Sequence, residues 1–378
     1  MLKKVIPLSK PNLAAIDIFR ALLVLKGNQL VQSKNVERLE RSICKFTGAK
    51  YSVVMNNGTA PLLVSLMKLG IGPGDEVIVP AFSFIATANV VEFLGAKPIF
   101  LDITEDCCIN LTLINECITS RTKAVIVVYE FGVLVDLREL RTNLERQGVA
   151  LIEDAACALG SEFIQFNHWE NSVFATFSFH PRKIITSGEG GALITNQEDV
   201  YLFAKSIRNH GQKSDSKTNA DGTRPYVLPG LNLRMTEFQA ALLYGQLKRL
   251  PKLVKKRNRL AEVYNNELAG TNFIPIASNG RFKHNYQTFF ICPKVKLDLV
   301  KLMEYMETNG VKIGVGAQFI PAEPYYSEKY QVNHDTFPIT RYFRENGFAL
   351  PMYEKLRTKQ VRSVARLLKK FSGDLNDS

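Results

Sequence analysis

Two hydrophobic periods alternate through the first two thirds of the chain. Short runs rich in β-branched residues predict strands that are buried on both faces. Between several of these runs, apolar positions recur at helical spacing, as at residues 60–69, and predict amphipathic helices. The runs that predict strands are residues 50–55, 76–79, 97–101, 123–129, 149–153, 174–179 and 191–195. This alternation predicts an α/β domain built on a mainly parallel sheet.

The pattern changes near residue 235. From Thr236 to about Leu268 the spacing predicts a long helical segment that becomes very basic, in which Pro251 should introduce a kink or a break. The elements predicted after it are a strand at residues 287–292 and helices at residues 296–309 and 357–371. These shorter elements are typical of a second, smaller α/β unit.

We therefore predict two structural units. Residues 1–245 should form a large domain, with a mainly parallel seven-stranded sheet between helices, and residues 246–378 a smaller C-terminal α/β domain. The length of 378 residues suits this division, because single domains usually contain about 100–200 residues.

Charge and cysteine usage narrow the class of protein. Lys and Arg total 48 against 36 Asp and Glu, and the net charge of +12 indicates an anionic partner without identifying it. The first residues lack the apolar core of a signal peptide, and no apolar stretch is long enough to span a membrane. Six irregularly spaced cysteines and five scattered histidines predict free thiols in a reducing compartment, hence a cytoplasmic location, and no metal site.

Three polar segments stand out, each where a strand should end. Asn57-Gly58-Thr59-Ala60-Pro61 lies between a strand and a helix, where it could cap the helix or bind phosphate at the helix N-terminus. Glu153 and Asp154 end a buried strand, where α/β sheets place their ligands, although Asp154 could also cap the next helix. Asn232 and Arg234 alternate with apolar residues and could face a ligand or solvent.

A lysine lies between two further apolar strands. Lys183 follows Ser178-Phe179-His180 and precedes a Gly-Glu-Gly-Gly turn. Burial would lower the pKa of this amine, and a neutral amine is what Schiff-base chemistry requires. The alternative is an exposed loop lysine beside a flexible turn. A phosphate turn, a carboxylate and a lysine in this order suggest pyridoxal phosphate, which needs an anion site, a partner for its ring nitrogen and an amine.

Taken together, these segments resemble the DegT/DnrJ/StrS family of nucleotide-sugar aminotransferases, which are fold-type-I pyridoxal-phosphate enzymes. The combination of the EDAA segment with FSFHPRKIITSGEGG carries most of the specificity. The matching stretches are NNGTAPLLVSLMKLGIGPGDEVIVPAFSFIATANVV, IEDAACALGS, FSFHPRKIITSGEGGALITN, IRNHG, LNLRMTEFQAALLYGQL and FALPMYEKL.

The resemblance implies a role for each matching position. Lys183 would bind the cofactor covalently and move a proton between substrate and cofactor, and Asp154 would keep the ring nitrogen protonated. Phe84 would stack on the ring, and Asn232 would reach the phosphate of the neighbouring subunit's cofactor, which requires a homodimer with shared active sites. The residues implied to hold the phosphate are Gly58, Thr59, Ala60 and Ser178.

Three positions depart from the family pattern. Cys157 occupies a cofactor-contacting position that is commonly Gln, His or Glu, and a thiol is a weaker hydrogen-bonding group. Tyr129 replaces the histidine of a VHLYG segment, and Gln318 lies in a segment that replaces a late histidine-containing one. The family handles its sugar in the last two segments, so they leave the identity of the sugar open.

Four functions are weighed on this basis. The first is amino transfer from an amino acid, usually glutamate in the family, to a nucleotide-linked keto-sugar, with a 4-keto-6-deoxy sugar ahead of a 3-keto sugar. The second is a related sugar dehydratase, although those relatives carry histidine at the position of Lys183. The third is a non-catalytic regulatory relative. The fourth, nucleic-acid binding by the basic residues 248–259, is disfavoured because these charges are spread around the helix; we expect neither nucleic-acid nor membrane partners.

Overall fold

The strand-like runs of the sequence assemble into one seven-stranded sheet in the computed structural model, which describes residues 5–214, 223–276, 280 and 282–373. The seven predicted runs match strands to within one residue at each end. The strands are β1 Tyr51–Met55, β2 Glu76–Pro80, β3 Phe82–Ser83, β4 Lys97–Leu101, β5 Thr122–Val128, β6 Ala150–Asp154, β7 Glu162–Phe163, β8 Phe174–Ser178, β9 Gly191–Thr195, β10 Phe273–Pro275, β11 Phe282–Lys283, β12 Phe289–Pro293, β13 Gln318–Phe319 and β14 Phe348–Leu350.

The order of strands in the large sheet is β1-β9-β8-β6-β5-β2-β4. Strand β9 runs antiparallel to its two neighbours, and the other pairs are parallel. The carboxyl ends of β1, β8, β6, β5 and β2 therefore meet at one edge of the sheet. In open α/β sheets this edge is where ligands bind. The polar segments at Asn57 and Asp154 lie at this edge.

Helices cover both faces of this sheet. On β5, Val125 and Val127 pack in the core beneath α2, α6 and α8, whereas Ala124 and Ile126 pack in the core beneath α3, α4 and α7. The helices are α1 Ala15–Leu25, α2 Lys34–Thr47, α3 Thr59–Lys68, α4 Ala86–Phe93, α5 Ile114–Cys117, α6 Arg138–Arg146, α7 Glu198–Arg208, α8 Glu237–Leu268, α9 Leu299–Thr308, α10 Pro324–Tyr330, α11 Pro338–Asn346 and α12 Thr358–Phe371. The predicted mainly parallel sheet between helices is confirmed.

Of the two predicted effects of Pro251, a kink or a break, the break is wrong, because helix α8 is continuous through this residue. Proline removes one backbone donor from a helix, but Leu250 and Leu253 on either side are buried in the core of the sheet. This packing holds the helix together across the proline. Burial of these leucines outweighs the loss of one backbone hydrogen bond at the proline, and the local sequence does not specify that burial.

The C-terminal residues form a second core around the far half of α8. The antiparallel sheet β10-β12-β14 packs there with α9 and α12. Along α8, Leu253 belongs to the first core and Leu260 to the second. The N-terminal Ile6 also packs into the second core. The structure passes from the first core to the second between Leu253 and Leu260. The predicted domain boundary at residues 245 and 246 stays a prediction.

The cations of α8 contact several different neighbours. Arg249 forms an ion pair with Asp17 at 2.5 Å, and the buried Arg257 pairs with Glu354 at 2.5 Å. Lys248 lies over an aromatic ring, 4.8 Å from its centroid. The charges are therefore distributed around the helix, in agreement with the sequence pattern.

The remaining global features concern membranes, metals and thiols. Within the described ranges, no helix has the length and apolar character needed to cross a membrane, and no group of three or more His, Cys, Asp or Glu side chains is placed to hold a metal ion. All six cysteines are free thiols, as predicted.

Candidate active site

A cavity of about 570 Å³ opens at the carboxyl edge of the large sheet. Its walls come from the ends of several parallel strands and from the C-terminal unit, which closes one side. The predicted site residues that line it are Gly58, Thr59, Phe84, Asp154, Cys157, Ser178 and Lys183. Seven of the nine predicted residues thus converge on a single space.

The turn between β1 and α3 forms one end of this cavity. The Asn57 Oδ1 atom accepts the N–H of Ala60 at 2.9 Å, so the predicted cap is present. Gly58 precedes the helix, and a Cβ there would lie 2.7 Å from Ser178, so only glycine allows this close approach. The first N–H groups of a helix lack intrahelical partners and carry partial positive charge. The cap is thus present at a helix N-terminus whose partial positive charge would favour an anion, with Ala60 buried behind the cavity surface.

Asp154 ends β6 and lies on the cavity surface. Its Oδ1 accepts the N–H of Ala156 at 3.1 Å, and its Oδ2 accepts the hydroxyl of Thr87 at 3.4 Å. Burial raises the pKa of Asp154, while Ala156 N–H, Lys183 and Thr87 act against this rise. Burial therefore disfavours the ionised form of Asp154. The ammonium of Lys183 and the two hydrogen-bond donors, Ala156 N–H and the Thr87 hydroxyl, stabilise it.

The loop that carries Lys183 is fixed by side chains from two other parts of the chain. Gln246 on α8 accepts the N–H of Thr186 at 3.0 Å and donates to its carbonyl at 2.7 Å. Gln287 donates to the carbonyl of Arg182 at 2.7 Å. These contacts hold the backbone on both sides of Lys183, which directs its amine into the cavity.

The pKa of Lys183 is shifted in the direction opposite to the prediction. Burial disfavours the ammonium, but Cys157, Glu130 and Asp154 together raise the pKa of Lys183 above its ordinary value. The expected lowering considered burial alone and is wrong, because the acidic neighbours that the fold brings together outweigh burial.

Cys157 lies between the lysine and the C-terminal unit. Lys183 Nζ donates to its Sγ at 3.0 Å, and Asn285 donates to its carbonyl at 2.8 Å. Burial raises the pKa of the Cys157 thiol, although Lys183 opposes this. The departure from the family pattern therefore places a sulfur against the amine of Lys183.

Phe84 and Asn232 differ in their placement. Phe84 is 61% exposed on the cavity wall, where a flat ring could lie against it. Asn232 is exposed outside this cavity, and its backbone pairs with Asn209. The described chain does not bring Asn232 to its own site.

The structure separates the two residues of the VYEFG segment that follow β5. Tyr129 is completely buried on the rear face of the sheet, where its hydroxyl donates to Glu153 at 2.7 Å and contacts His168. Tyr129 itself therefore does not reach the cavity, although its segment does. Its neighbour Glu130 lines the cavity instead. Gln318 lines the cavity too, and its Oε1 has no hydrogen-bond partner among the described residues.

Sequence reasoning missed several polar residues of the site. Glu130 is buried, and burial raises its pKa to about 7. A carboxylate directly after a buried strand was the available signal, the same one that identified Asp154. The other missed residues are Ser83, Thr87, Gln246, Asn285 and Gln287, which follow from long-range packing and carry no local signal.

Comparison with known proteins assigns the chain to a family. A model of the DegT/DnrJ/EryC1/StrS aminotransferase family matches residues 14–369. The solved structure of Helicobacter pylori PseC, an aminotransferase involved in the biosynthesis of pseudoaminic acid, is 28% identical with a TM-score of 0.91, and the match covers 98% of this chain and 100% of that one. The PLP-form of a putative sugar aminotransferase, Spr1654 from Streptococcus pneumoniae, is 26% identical with a TM-score of 0.91, over 98% and 100% of the two chains.

A third structure shares the fold only. GDP-4-keto-6-deoxymannose-3-dehydratase, with a trapped PLP-glutamate geminal diamine, is 22% identical with a TM-score of 0.85, over 96% of this chain and 100% of that one. The chain belongs to the DegT/DnrJ/EryC1/StrS aminotransferase family. This membership confirms the family, the pyridoxal-phosphate aminotransferase fold and the cofactor that the sequence predicted.

Proposed function

We propose that the chain transfers the amino group of an amino acid, with glutamate as the expected donor, to the keto group of a nucleotide-linked sugar. A 4-keto-6-deoxy sugar is the first candidate and a 3-keto sugar the second. The observation that carries the proposal is one cavity that joins the amine of Lys183, the carboxylate of Asp154 and the anion-binding turn at Gly58. The 28% identical relative is an aminotransferase involved in the biosynthesis of pseudoaminic acid, which supports the substrate class.

The residues present fit pyridoxal phosphate. The phosphate would occupy the turn at Gly58 and Thr59 with the Ser178 hydroxyl beside it, and the ring would lie between Phe84 and the end of β6. Asp154 would face the ring nitrogen. When bound, the cofactor serves as an electron sink for negative charge on the carbon that bears the amine.

Two side chains would do the acid–base work. The Lys183 amine can hold the cofactor and afterwards carry a proton to and from the substrate carbon. The negative charge of Asp154 raises the proton affinity of a nitrogen in contact with it. Neither role needs a movement of the backbone, because both residues already line the same cavity.

The mouth of the cavity suits an anionic, hydroxyl-rich substrate. Arg182 is exposed on the cavity wall and can bind a carboxylate or diphosphate. The unpartnered Oε1 of Gln318 can accept a hydrogen bond from a sugar hydroxyl or from the new amine. These two residues are the proposed contributors to substrate choice.

A homodimer is part of the proposal. Helix α1 leaves large apolar side chains exposed, among them Phe19 at 55% and Leu23 at 52%, and a contiguous apolar face of this kind is typical of an interface. A second copy of the chain could cover it and bring its exposed Asn232 to the phosphate of the first. Free thiols at all six cysteines support a reducing, cytoplasmic location.

The test is a panel of UDP-, dTDP- and GDP-linked keto-sugars incubated with glutamate and read by mass spectrometry. The proposal expects replacement of a keto oxygen by an amine in at least one sugar, with glutamate consumed in equal amount. Loss of water without amine gain would indicate the dehydratase. No reaction with any amino acid in the absence of sugar would indicate the regulatory relative.

A further inference from the structure

Glu130 is a buried carboxyl group in the cavity that the proposed function does not use. It follows β5, is 7% exposed and lines the cavity together with Asp154 and Lys183. The next residue, Phe131, has a φ of 57°, a backbone conformation that non-glycine residues rarely adopt. Stacking of Phe131 on Phe290, at 4.5 Å between ring centroids, holds this turn in place. The fold therefore fixes the carboxyl of Glu130 at the cavity.

Two hydroxyl groups connect Glu130 to Asp154. Glu130 Oε2 lies 3.5 Å from Ser83 Oγ, which lies 3.1 Å from Thr87 Oγ1, and this atom lies 3.4 Å from Asp154 Oδ2. Ser83 on β3 and Thr87 on α4 are each 1% exposed. The connection runs through a buried part of the protein, where polar groups depend on each other for hydrogen bonds.

A count of protons determines the state of this connection. Three oxygen–oxygen contacts need three hydrogens, and the hydroxyls of Ser83 and Thr87 supply two. With both carboxyl groups ionised, Ser83 and Thr87 would each donate to a carboxylate, and the 3.1 Å contact between the two hydroxyls would carry no hydrogen. A third hydrogen bond is made only when one of the carboxyl groups supplies the hydrogen. All three contacts are filled when one carboxyl is protonated and the other ionised.

The other contacts of the carboxyl groups indicate which one holds the proton. Asp154 receives the Ala156 N–H on its second oxygen at 3.1 Å, and this donor favours the ionised form. The Phe131 N–H acts in the same direction on Glu130, but burial outweighs it there. With Asp154 ionised, the hydrogens run from Glu130 to Ser83, from Ser83 to Thr87 and from Thr87 to Asp154. We propose that Glu130 is a positioning residue, a neutral acid that acts through Ser83 and Thr87 to keep Asp154 ionised. The use of Asp154 at the ring nitrogen rests on the proposed function, whereas the connection itself does not.

The connection should respond to pH near neutrality. Glu130 faces Lys183, Asp154 and Cys157 in the cavity and the thiols of Cys107 and Cys108 behind it. Burial raises the pKa of Glu130 to about 7, with Lys183 opposing and Asp154 reinforcing the rise. Above this pH Glu130 becomes ionised, one of the three contacts loses its hydrogen, and a second negative charge faces Asp154.

The central variant is Glu130→Gln, whose amide can donate to Ser83 at every pH. In the wild type, kcat/KM should fall about tenfold from pH 6 to pH 8, as expected for one required protonated group. In Glu130→Gln this midpoint near pH 7 should disappear while activity at pH 6 is retained. Ser83→Ala should also lose the midpoint, because the connection is interrupted there.

A second readout does not depend on catalysis. Because the folded pKa of Glu130 lies above its unfolded value, its contribution to stability decreases as pH rises through the interval between them. The melting temperature of cofactor-free Glu130→Gln should therefore rise relative to wild type from pH 5 to pH 8. Ser83→Ala should keep the wild-type pH dependence of melting, as should the control Glu139→Gln, which removes an exposed carboxylate.

Three outcomes would overturn the inference. One is a Glu130→Gln protein whose melting temperature follows the wild type at every pH. Another is loss of activity in Glu130→Gln at all pH values, which would place the proton on Asp154. The third is a Ser83→Ala variant that keeps the midpoint near pH 7. If the protein has no aminotransferase activity, the melting experiment still decides whether Glu130 holds a proton.

Discussion

Two neighbouring carboxyl groups at the end of β6 lie in opposite environments. Glu153 faces the rear of the sheet, where Arg141 pairs with it at 2.9 Å, His168 at 2.6 Å and Tyr129 donates to it at 2.7 Å. Despite burial, these partners, led by His168, hold the pKa of Glu153 at about 2. Asp154 faces the cavity, where burial raises its pKa. Of these two adjacent residues, the fold thus stabilises the ionised form of Glu153 and disfavours the ionised form of Asp154.

The difference identifies which face of the sheet is structural and which is functional. Glu153 forms an ion pair with Arg141 and hydrogen bonds with His168 and Tyr129, so its charge contributes to folding. The cavity holds two carboxyls of raised pKa, Asp154 and Glu130, opposite the ammonium of Lys183. Titratable groups with perturbed pKa values in a cleft are typical of active sites. The predictions below test this division of roles.

The largest effect is expected at the cavity face, for Asp154→Asn. The amide keeps the size of the side chain but removes the charge, so kcat should fall by about 10²- to 10⁴-fold, the range for a positioned acid–base group. The free energy of unfolding should stay constant or increase at pH 7, because the ionised carboxylate is disfavoured in the fold. Steady-state kinetics and urea unfolding on the same preparation check both parts. Marked destabilisation of Asp154→Asn would contradict the assignment of Asp154 to the functional face.

The next effect is expected at the rear face, for Glu153→Gln. Removing one partner of a buried ion pair costs about 3–5 kcal/mol of stability. Activity per folded molecule should change little, since Glu153 lies outside the cavity. Urea unfolding at pH 7 measures the loss, with the exposed Glu139→Gln as the matched control. A variant as stable as the control would show that the rear network is not structural.

The same residue predicts an acid dependence. Because the folded pKa of Glu153 is lowered to about 2, its stabilisation is complete above the unfolded value and is lost as pH falls from about 4.5 to about 2. The wild type should therefore lose stability over this interval by on the order of 3 kcal/mol more than Glu153→Gln does. Equilibrium unfolding between pH 5 and pH 2 provides the comparison. Parallel curves would contradict the assignment.

A smaller effect is expected for Tyr129→Phe. The change removes one hydrogen bond to a charged group, which contributes about 1.5–3 kcal/mol, and leaves the ring in place. Stability should decrease by that amount while kcat/KM for any accepted sugar stays at the wild-type value. A selective change in sugar preference would show that Tyr129 influences the substrate despite its burial on the rear face.

Much of this division could be predicted from the sequence, but not all of it. The strand bounds and the convergence of Asp154 and Lys183 followed from apolar runs and from the polar residues that end them. The opposite orientations of Tyr129 and Glu130 continue the alternation of β5, in which Val127 and Val128 pack on opposite faces. Which face carries the cavity could not be predicted, because it depends on packing between distant parts of the chain. The raised pKa of Lys183 depends on neighbours from the ends of two other strands, β5 and β6.

The contacts that the C-terminal unit makes with the active-site loops also could not be predicted from the local sequence. Gln287 and Asn285 hold the backbone at Arg182 and Cys157 across more than 100 positions of the chain. Nothing in the local pattern around residue 285 distinguishes these amides from surface residues. Their role becomes visible only when the second core closes one side of the cavity.

The most direct measurement of the central claim is reduction of the pyridoxal-phosphate-loaded protein with borohydride, followed by peptide mapping. A single pyridoxyl group is expected on the peptide that contains Lys183, and no such group is expected in Lys183→Arg. Modification of a different lysine, or equal modification of Lys183→Arg, would contradict the assignment of this cavity as the active site.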